Sequence, residues 1–421
     1  MLGDKRLSSY IKNPPDARHD VVLGVFLLAA CLAYDSYTSV TYLTSFNHGI
    51  FDFAWRPIGR DFVNYWTAGV SVFDGIVWDI FDTQLFHAYQ EKLLGHPFAE
   101  HNWSYPPHIL LLMWPFGLLP YLWALALWSF LGLGVYLWVS AAGRQDSHIV
   151  ILALLLAPAT FANFAGGQNG FLTGVLLISG LRLLGPRPVV AGILFGILTM
   201  KPQLGLLLPF ALLAARQWIA ILSASVTTVL LVGFSMMLFG WEAWQAYIEQ
   251  VIPHQAMVMN EGDGVFLAMM PSAYIGLRLL EVEPVLRSAL HGVFALIALA
   301  GVVWAFARST DAELKFGVLA VGTFLASPYG FNYDMTTVSL AVLLVALRGL
   351  RHGFLPGERL SLSATWLLPT AILWLNANHI PVGSLILLSC FAYFLIRIRD
   401  SLAQESNRGF NWAKSGEALQ S

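Results

Sequence analysis

An acidic residue beside an arginine, followed by an aromatic, helix-prone run, can do acid–base chemistry at a membrane surface. The chain carries that combination as Gly59-Arg60-Asp61-Phe62-Val63-Asn64-Tyr65-Trp66-Thr67-Ala68-Gly69. A carboxylate within hydrogen-bond reach of a hydroxyl accepts its proton as the oxygen attacks, which makes Asp61 the candidate general base. The same position suits an N-cap, because an Asp ahead of a helix accepts from its first backbone N–H groups. Tyr65, Trp66, Trp78 and Trp103 have the types expected of an aromatic belt at headgroup level, and Tyr65 is also a candidate substrate contact.

Lys201 is the second candidate. An ionisable residue at membrane depth is costly and usually functional, and a lysine there can hold a phosphate as a point charge; snorkelling to the interface is the bland alternative. Arg60 and Arg278 are further cation candidates, with a local ion pair and a surface position as their structural readings. Gln168 and Asn169 can hydrogen-bond a sugar or satisfy a helix end. Asp334 either caps the helix it precedes or joins acid–base and substrate chemistry. His108 follows Tyr105-Pro106-Pro107 and can contact a lipid phosphate, although paired prolines more often start a helix. No metal-ligand cluster, P-loop, dinucleotide fingerprint or nucleophile elbow is present, so neither a metal nor a cofactor is expected.

The elements that must position these residues are apolar. Of 421 residues 57% are hydrophobic and 11% charged, against about 25% charged in soluble domains. The expectation is an all-α polytopic membrane protein. A net charge of −2 speaks against a nucleic-acid partner. Cys31 and Cys390 both fall in apolar runs and read as packing residues. The polar start with Lys5, Arg6, Lys12 and Arg18 reads as a signal anchor rather than a cleaved leader.

A spanning helix needs about 20 residues. Val21–Leu43 is the first span, and the polar, aromatic loop Thr44–Tyr105 follows. His108–Leu119 is short, contains Pro115 and decides the topology. Taken as non-spanning, it leaves twelve spans and both termini on one side. That side then holds 17 of the 23 Lys and Arg residues; the other keeps Arg56, Arg60, Lys92, Lys201, Arg278 and Arg287. The positive-inside rule makes the first side cytoplasmic. A single transmembrane domain over residues 1–399 is expected, with extracytoplasmic loops at 44–107 and 240–284. Residues 400–421 read as a disordered cytoplasmic tail.

Between Arg187 and Arg216 only 28 residues serve two crossings, about 42 Å of helix where two crossings need about 60 Å. Lys201-Pro202 sits at their turn. Non-helical backbone at that depth needs a protein or water lining, so a recessed cavity open to the outer side is expected. The outer turns Gly166–Gly170, Lys201–Gln203, Ser327–Asp334 and Asn376–His379 are rich in amides, aromatics and isolated charges. The inner turns are plain arginine-rich connectors. That asymmetry puts the chemistry outside.

The ordered set of motifs resembles the GT-C superfamily of membrane glycosyltransferases, and within it glycosyltransferase family 87. The residues that carry the resemblance are Asp61–Gly69, Tyr105-Pro106-Pro107 with the run to Leu118-Leu119-Pro120, Gly167-Gln168-Asn169-Gly170, and Arg187-Pro188 with Ala191-Gly192 leading to Lys201-Pro202-Gln203. Ser327-Pro328-Tyr329 fits more loosely. The resemblance implies a GT-C fold with juxtamembrane helices in the first outer loop and an acidic base there, carried here onto Asp61. It also implies a polyprenyl-phosphate-linked sugar as donor and a glycolipid or glycan as acceptor. Where the family's mannosyltransferases have a histidine-rich segment in the later outer turn, this chain has Asn332-Tyr333-Asp334. The expected activity is inverting, metal-independent transfer of a hexose, mannose being one candidate, in the bacterial inner membrane. A polytopic transporter or lipid-linked-sugar flippase is the rival reading. It would favour inverted repeats and a polar site near the midplane.

Overall fold

A computed structural model describes residues 22–34, 49–52, 54–262 and 264–417, with side chains described as far as residue 404. The basic N-terminal stretch, the C-terminal part of the first expected span and residues 44–48 lie outside that set. Among the described residues all regular structure is helical, apart from one isolated bridge between Phe51 and Pro57.

Four helices are long and apolar enough to cross a bilayer: Tyr121–Ala141, Trp218–Phe239, Pro284–Arg308 and Glu358–Ala377. Ser147–Leu155 and Pro158–Ala165, bent by 56° at the break between them, make a fifth if taken as one span. The chain is therefore a multi-pass membrane protein. Val22–Tyr34, Gly170–Leu183, Pro188–Leu198 and Pro202–Ala214 are shorter apolar helices. Twelve crossings exceed what helix length alone supports, because Pro188–Leu198 has 11 residues, about 16 Å of rise against a hydrocarbon core of about 30 Å.

Burial shows which helices face lipid. Ala312–Ala326 is buried along nearly its whole length, as is the upper part of Thr336–His352. Trp218–Phe239 buries only Ala220, Ser235 and Phe239 among its 22 residues, and exposes Leu222, Val229, Leu230 and Met237. An apolar helix with its side chains turned outward is stable only in an apolar solvent.

The long loop ahead of Tyr105 is built largely of helices. Phe62–Asp74 ends at Gly75, and Asp82 caps Thr83–Leu94 by accepting from the N–H groups of Gln84 and Leu85, both at 2.9 Å. Two indoles fasten the loop to the bundle. Trp66 Nε1 donates to the Leu119 carbonyl at 2.9 Å and Trp78 Nε1 to that of Phe239 at 3.0 Å. Tyr65 and Trp103, expected in an interfacial belt, are instead buried, Tyr65 against Trp103 of the loop and Trp128 of Tyr121–Ala141.

The segment His108–Leu119 forms a 3₁₀ turn, Pro107–Ile109, and the eight-residue helix Leu110–Gly117. About 12 Å of helix cannot cross a bilayer. It packs on Phe62–Asp74 backbone to backbone: a Cβ added to Gly69 would stand 2.5 Å from the Met113 carbonyl oxygen, and one on Gly117 would stand 2.4 Å from the Gly69 carbonyl carbon. Gly69→Ala is expected to push the two helices apart and cost about 1–3 kcal/mol, read as earlier thermal unfolding in detergent.

The last helix, Gly383–Glu417, runs on past Asp400. The sequence reading made that stretch a disordered tail; Asp400-Ser401-Leu402-Ala403-Gln404-Glu405 contains no Gly or Pro to end the helix.

Candidate active site

Asp61 stands where the N-cap reading placed it, immediately before Phe62–Asp74, but it does not act as a cap. Its backbone is already helical, at φ −70° and ψ −8°, and its side chain accepts no hydrogen bond from the helix. The carboxylate turns to two other partners: Gln168 Nε2 donates to Oδ2, and His101 Nε2 lies 3.5 Å from Oδ1. The side chain is 42% accessible, yet surrounding protein desolvates it and pushes its pKa above the ordinary carboxylate value. His101, Gln168, Lys201 and Arg60 oppose that rise, in this order. The residue ahead of it, Arg60, takes φ 44°, a left-handed conformation sparse for non-glycine residues. Such outliers concentrate at functional sites.

Gln168 reaches Asp61 because the Gly166-Gly167-Gln168 turn rests on the corner at Gly59. Gly167 has φ +56°, and a Cβ there would meet the Gly59 carbonyl oxygen and the Phe62 Cβ, each at 2.6 Å. Only glycine fits that contact. Trp128 Nε1 steadies the turn from below, donating to the carbonyls of Gly167 and Gln168 at 3.1 and 3.2 Å. Gln168 Oε1 then accepts from Tyr65 Oη at 3.4 Å, and Tyr65 Oη lies 2.5 Å from Tyr105 Oη.

The next residue, Asn169, holds the second half of the site. Lys201 Nζ donates to Asn169 Oδ1 at 2.9 Å and to Asp334 Oδ1 at 2.6 Å. Both members of the ion pair are buried, with side chains 2% and 0% accessible. The Tyr333 ring lies 5.2 Å from the ammonium. Asp334 also accepts from the Phe331 N–H at 3.4 Å, so it both caps its turn and pairs the lysine. A lysine only donates, which fixes the Asn169 amide with Oδ1 toward Lys201. Asn169 Nδ2 is left buried and without a hydrogen-bond partner among the described residues. Asp61, Gln168, Asn169, Lys201 and Asp334 thus form one connected polar group. Among the described residues no three His, Cys, Asp or Glu side chains converge as a metal site would need.

The family model of glycosyltransferase family 87 matches residues 103–328, more than half of the chain. The chain belongs to glycosyltransferase family 87. It is a membrane glycosyltransferase, and that membership decides between the enzyme and transporter readings. No curated protein and no solved structure matches it. Within family 87's matched stretch lie His101's neighbours from Trp103 onward and His108, Gln168, Asn169, Lys201 and Arg278; Asp61 and Asp334 flank it on either side.

The remaining candidates of this family 87 chain are held elsewhere. Arg60 pairs with Asp52 at 2.8 Å and donates to the Pro57 carbonyl at 3.2 Å. Arg278 donates to the carbonyls of Met259 at 2.8 Å, Val258 at 3.3 Å and Gly262, and so closes the end of Ile252–Glu261. His108 is buried, stacks on Trp244 at 5.8 Å and lies 3.4 Å from Thr199 Oγ1. Burial pushes its pKa down to about 4.

Sequence reasoning missed His101 and Tyr105. His101 Nδ1 lies 2.7 Å from the Ala99 carbonyl, which accepts only and therefore fixes the proton on Nδ1. Nε2, the other ring nitrogen, faces Asp61 Oδ1. The one available signal was that His101 shares the first long loop with Asp61 and precedes the Tyr105-Pro106-Pro107 motif. Forty residues of intervening chain gave no means of pairing them.

Proposed function

We propose that this family 87 enzyme transfers a hexose from a polyprenyl phosphate to a glycolipid or glycan on the extracytoplasmic side. The observation that carries the proposal is the Asp61 carboxylate, accessible, uncapped and anchored at one end of a buried polar chain. In this reading the fold is of the GT-C type with about twelve crossings, several of them short. Both termini are cytoplasmic, and the membrane is the bacterial inner membrane. Nucleotide sugars stay in the cytoplasm, so an outward site needs a lipid-borne donor.

The acceptor hydroxyl loses its proton to Asp61 as its oxygen bonds to the anomeric carbon. The bond from that carbon to the phosphate oxygen breaks with inversion, and polyprenyl phosphate leaves. The proton then leaves Asp61 for solvent, to which its side chain is 42% accessible. In this reading Lys201 and the unpartnered Asn169 Nδ2, both buried, supply the charge and the donor that stabilise the leaving phosphate. Gln168 and Tyr65 fix the direction of the carboxylate, and no metal enters the scheme.

The test is transfer in proteoliposomes. Radiolabelled hexose is expected to move from polyprenyl phosphate to an endogenous lipid acceptor, and not from a nucleotide sugar. Transfer from the nucleotide sugar alone would overturn the donor assignment.

The pH dependence follows from the burial of Asp61. A base works only when deprotonated, and desolvation raises this carboxyl, so the acid limb of the activity profile is expected above the ordinary carboxylate value. His101 opposes the rise. His101→Phe removes that opposition, so the acid limb of the kcat/KM profile is expected to move to higher pH, with a smaller loss of kcat than at Asp61. An unmoved limb would separate His101 from the base.

A further inference from the structure

A cavity of about 650 Å³ opens at the end of the bundle away from Asp61. Arg182, in the last turn of Gly170–Leu183, lines it. That position lies about 18 Å along the helix axis from Gly170, beside Asn169. The volume falls in the range of ligand pockets, about 300–1,000 Å³. Leu181 and Phe316 give it an apolar wall, and Arg144, Arg182, Glu313 and Lys315 give it charge.

The charges do not balance. Glu313 is the carboxylate in the lining, and it is already engaged by Arg144 at 2.5 Å and Arg348 at 3.5 Å. Arg182 donates to the carbonyls of Val139, Ser140 and Ala142, at the end of Tyr121–Ala141, and to no carboxylate among the described residues. Lys315 Nζ stands 5.7 Å from the centre of the Phe306 ring, and its nearest acidic influence, Asp311, is bound to Arg348 at 2.6 Å. Arg182 and Lys315 thus share one cavity without a direct ion pair among the described residues, Glu313 and Asp311 acting on them only from farther off. Two cations beside an apolar wall favour an anionic partner. Basic pockets between membrane helices are suited to lipid head groups.

We infer that this cavity is a second binding site, taking the phosphate head of an anionic membrane lipid between Arg182 and Lys315, with its chain along the Leu181–Phe316 wall. The apolar wall favours a lipid over a free phosphate. The site is separate from the sugar-transfer chemistry and does not rest on it.

The experiment uses the full-length protein in nanodiscs of phosphatidylcholine with and without phosphatidylglycerol, and inorganic phosphate in a third arm. Native mass spectrometry reads retained lipid, and thermal unfolding reads stabilisation. Retention of phosphatidylglycerol over phosphatidylcholine is expected. Lys315→Gln should weaken it about fivefold, as loss of one cation near a lipid phosphate does. Asp61→Asn should leave it unchanged. Because Arg182 also holds helix-end carbonyls, Lys315→Gln carries the test if an Arg182 variant does not fold. Equal retention of the two lipids, or retention unaffected in Lys315→Gln, would overturn the site. Equal stabilisation by inorganic phosphate, with no lipid preference, would overturn its assignment to a lipid.

Discussion

Asp61→Asn is expected to abolish sugar transfer while the protein folds and binds donor normally. The carboxamide is nearly the same shape, and its oxygen can still accept from Gln168 Nε2, which now donates to Oδ2 of Asp61. The side chain caps no helix, so helix Phe62–Asp74 loses nothing. What disappears is the capacity to take a proton. General-base catalysis contributes about 10²–10⁴ in rate, and the loss should fall on kcat with donor affinity retained. Turnover close to wild type in reconstituted vesicles would remove Asp61 from the mechanism.

Lys201→Met is expected to have the largest effect on stability. Both partners of the Lys201–Asp334 pair are buried, and removing one member of such a pair costs about 3–5 kcal/mol because the other charge is stranded. Burial already raises the Asp334 carboxyl, and Lys201 is the main force opposing that. Without the lysine the folded-state pKa rises further above the unfolded one. The contribution of Asp334 is then most favourable below its unfolded pKa and is lost as pH rises through the folded value. The deficit of Lys201→Met should therefore shrink as the pH falls. Adding Asp334→Leu should recover most of the stability at neutral pH. If Lys201 serves the donor phosphate, the doubly substituted protein will be folded and inactive. A folded, active double variant would confine the lysine to a structural role.

Much of the site was legible because its residues stand at turns between apolar runs. Lys201-Pro202 interrupts a stretch too short for two crossings, and the lysine appears there as the member of a buried pair. Gln168 and Asn169 occupy a glycine-bounded turn and carry the polar chain. What could not be read was which loop residues meet. Arg60 and Asp52 pair across a corner made by two left-handed residues, Gly59 and Arg60, and no periodicity announces such a corner. His101 reaches Asp61 through a folded loop for the same reason. The helices were legible as apolar runs, but their number as crossings was not. Composition marks hydrocarbon-soluble chain, whereas crossing depends on length, and Pro158 breaks a run that reads as continuous.

Gln168 and Asn169 are consecutive, yet one grips the base and the other the lysine. Under the proposed mechanism a single peptide plane therefore separates the hand that receives the acceptor's proton from the hand offered to the departing phosphate. Donor preference and acceptor preference cannot drift apart freely in such an enzyme. A substitution that suits a new sugar carrier will tug on the proton acceptor, and its effects will multiply rather than add.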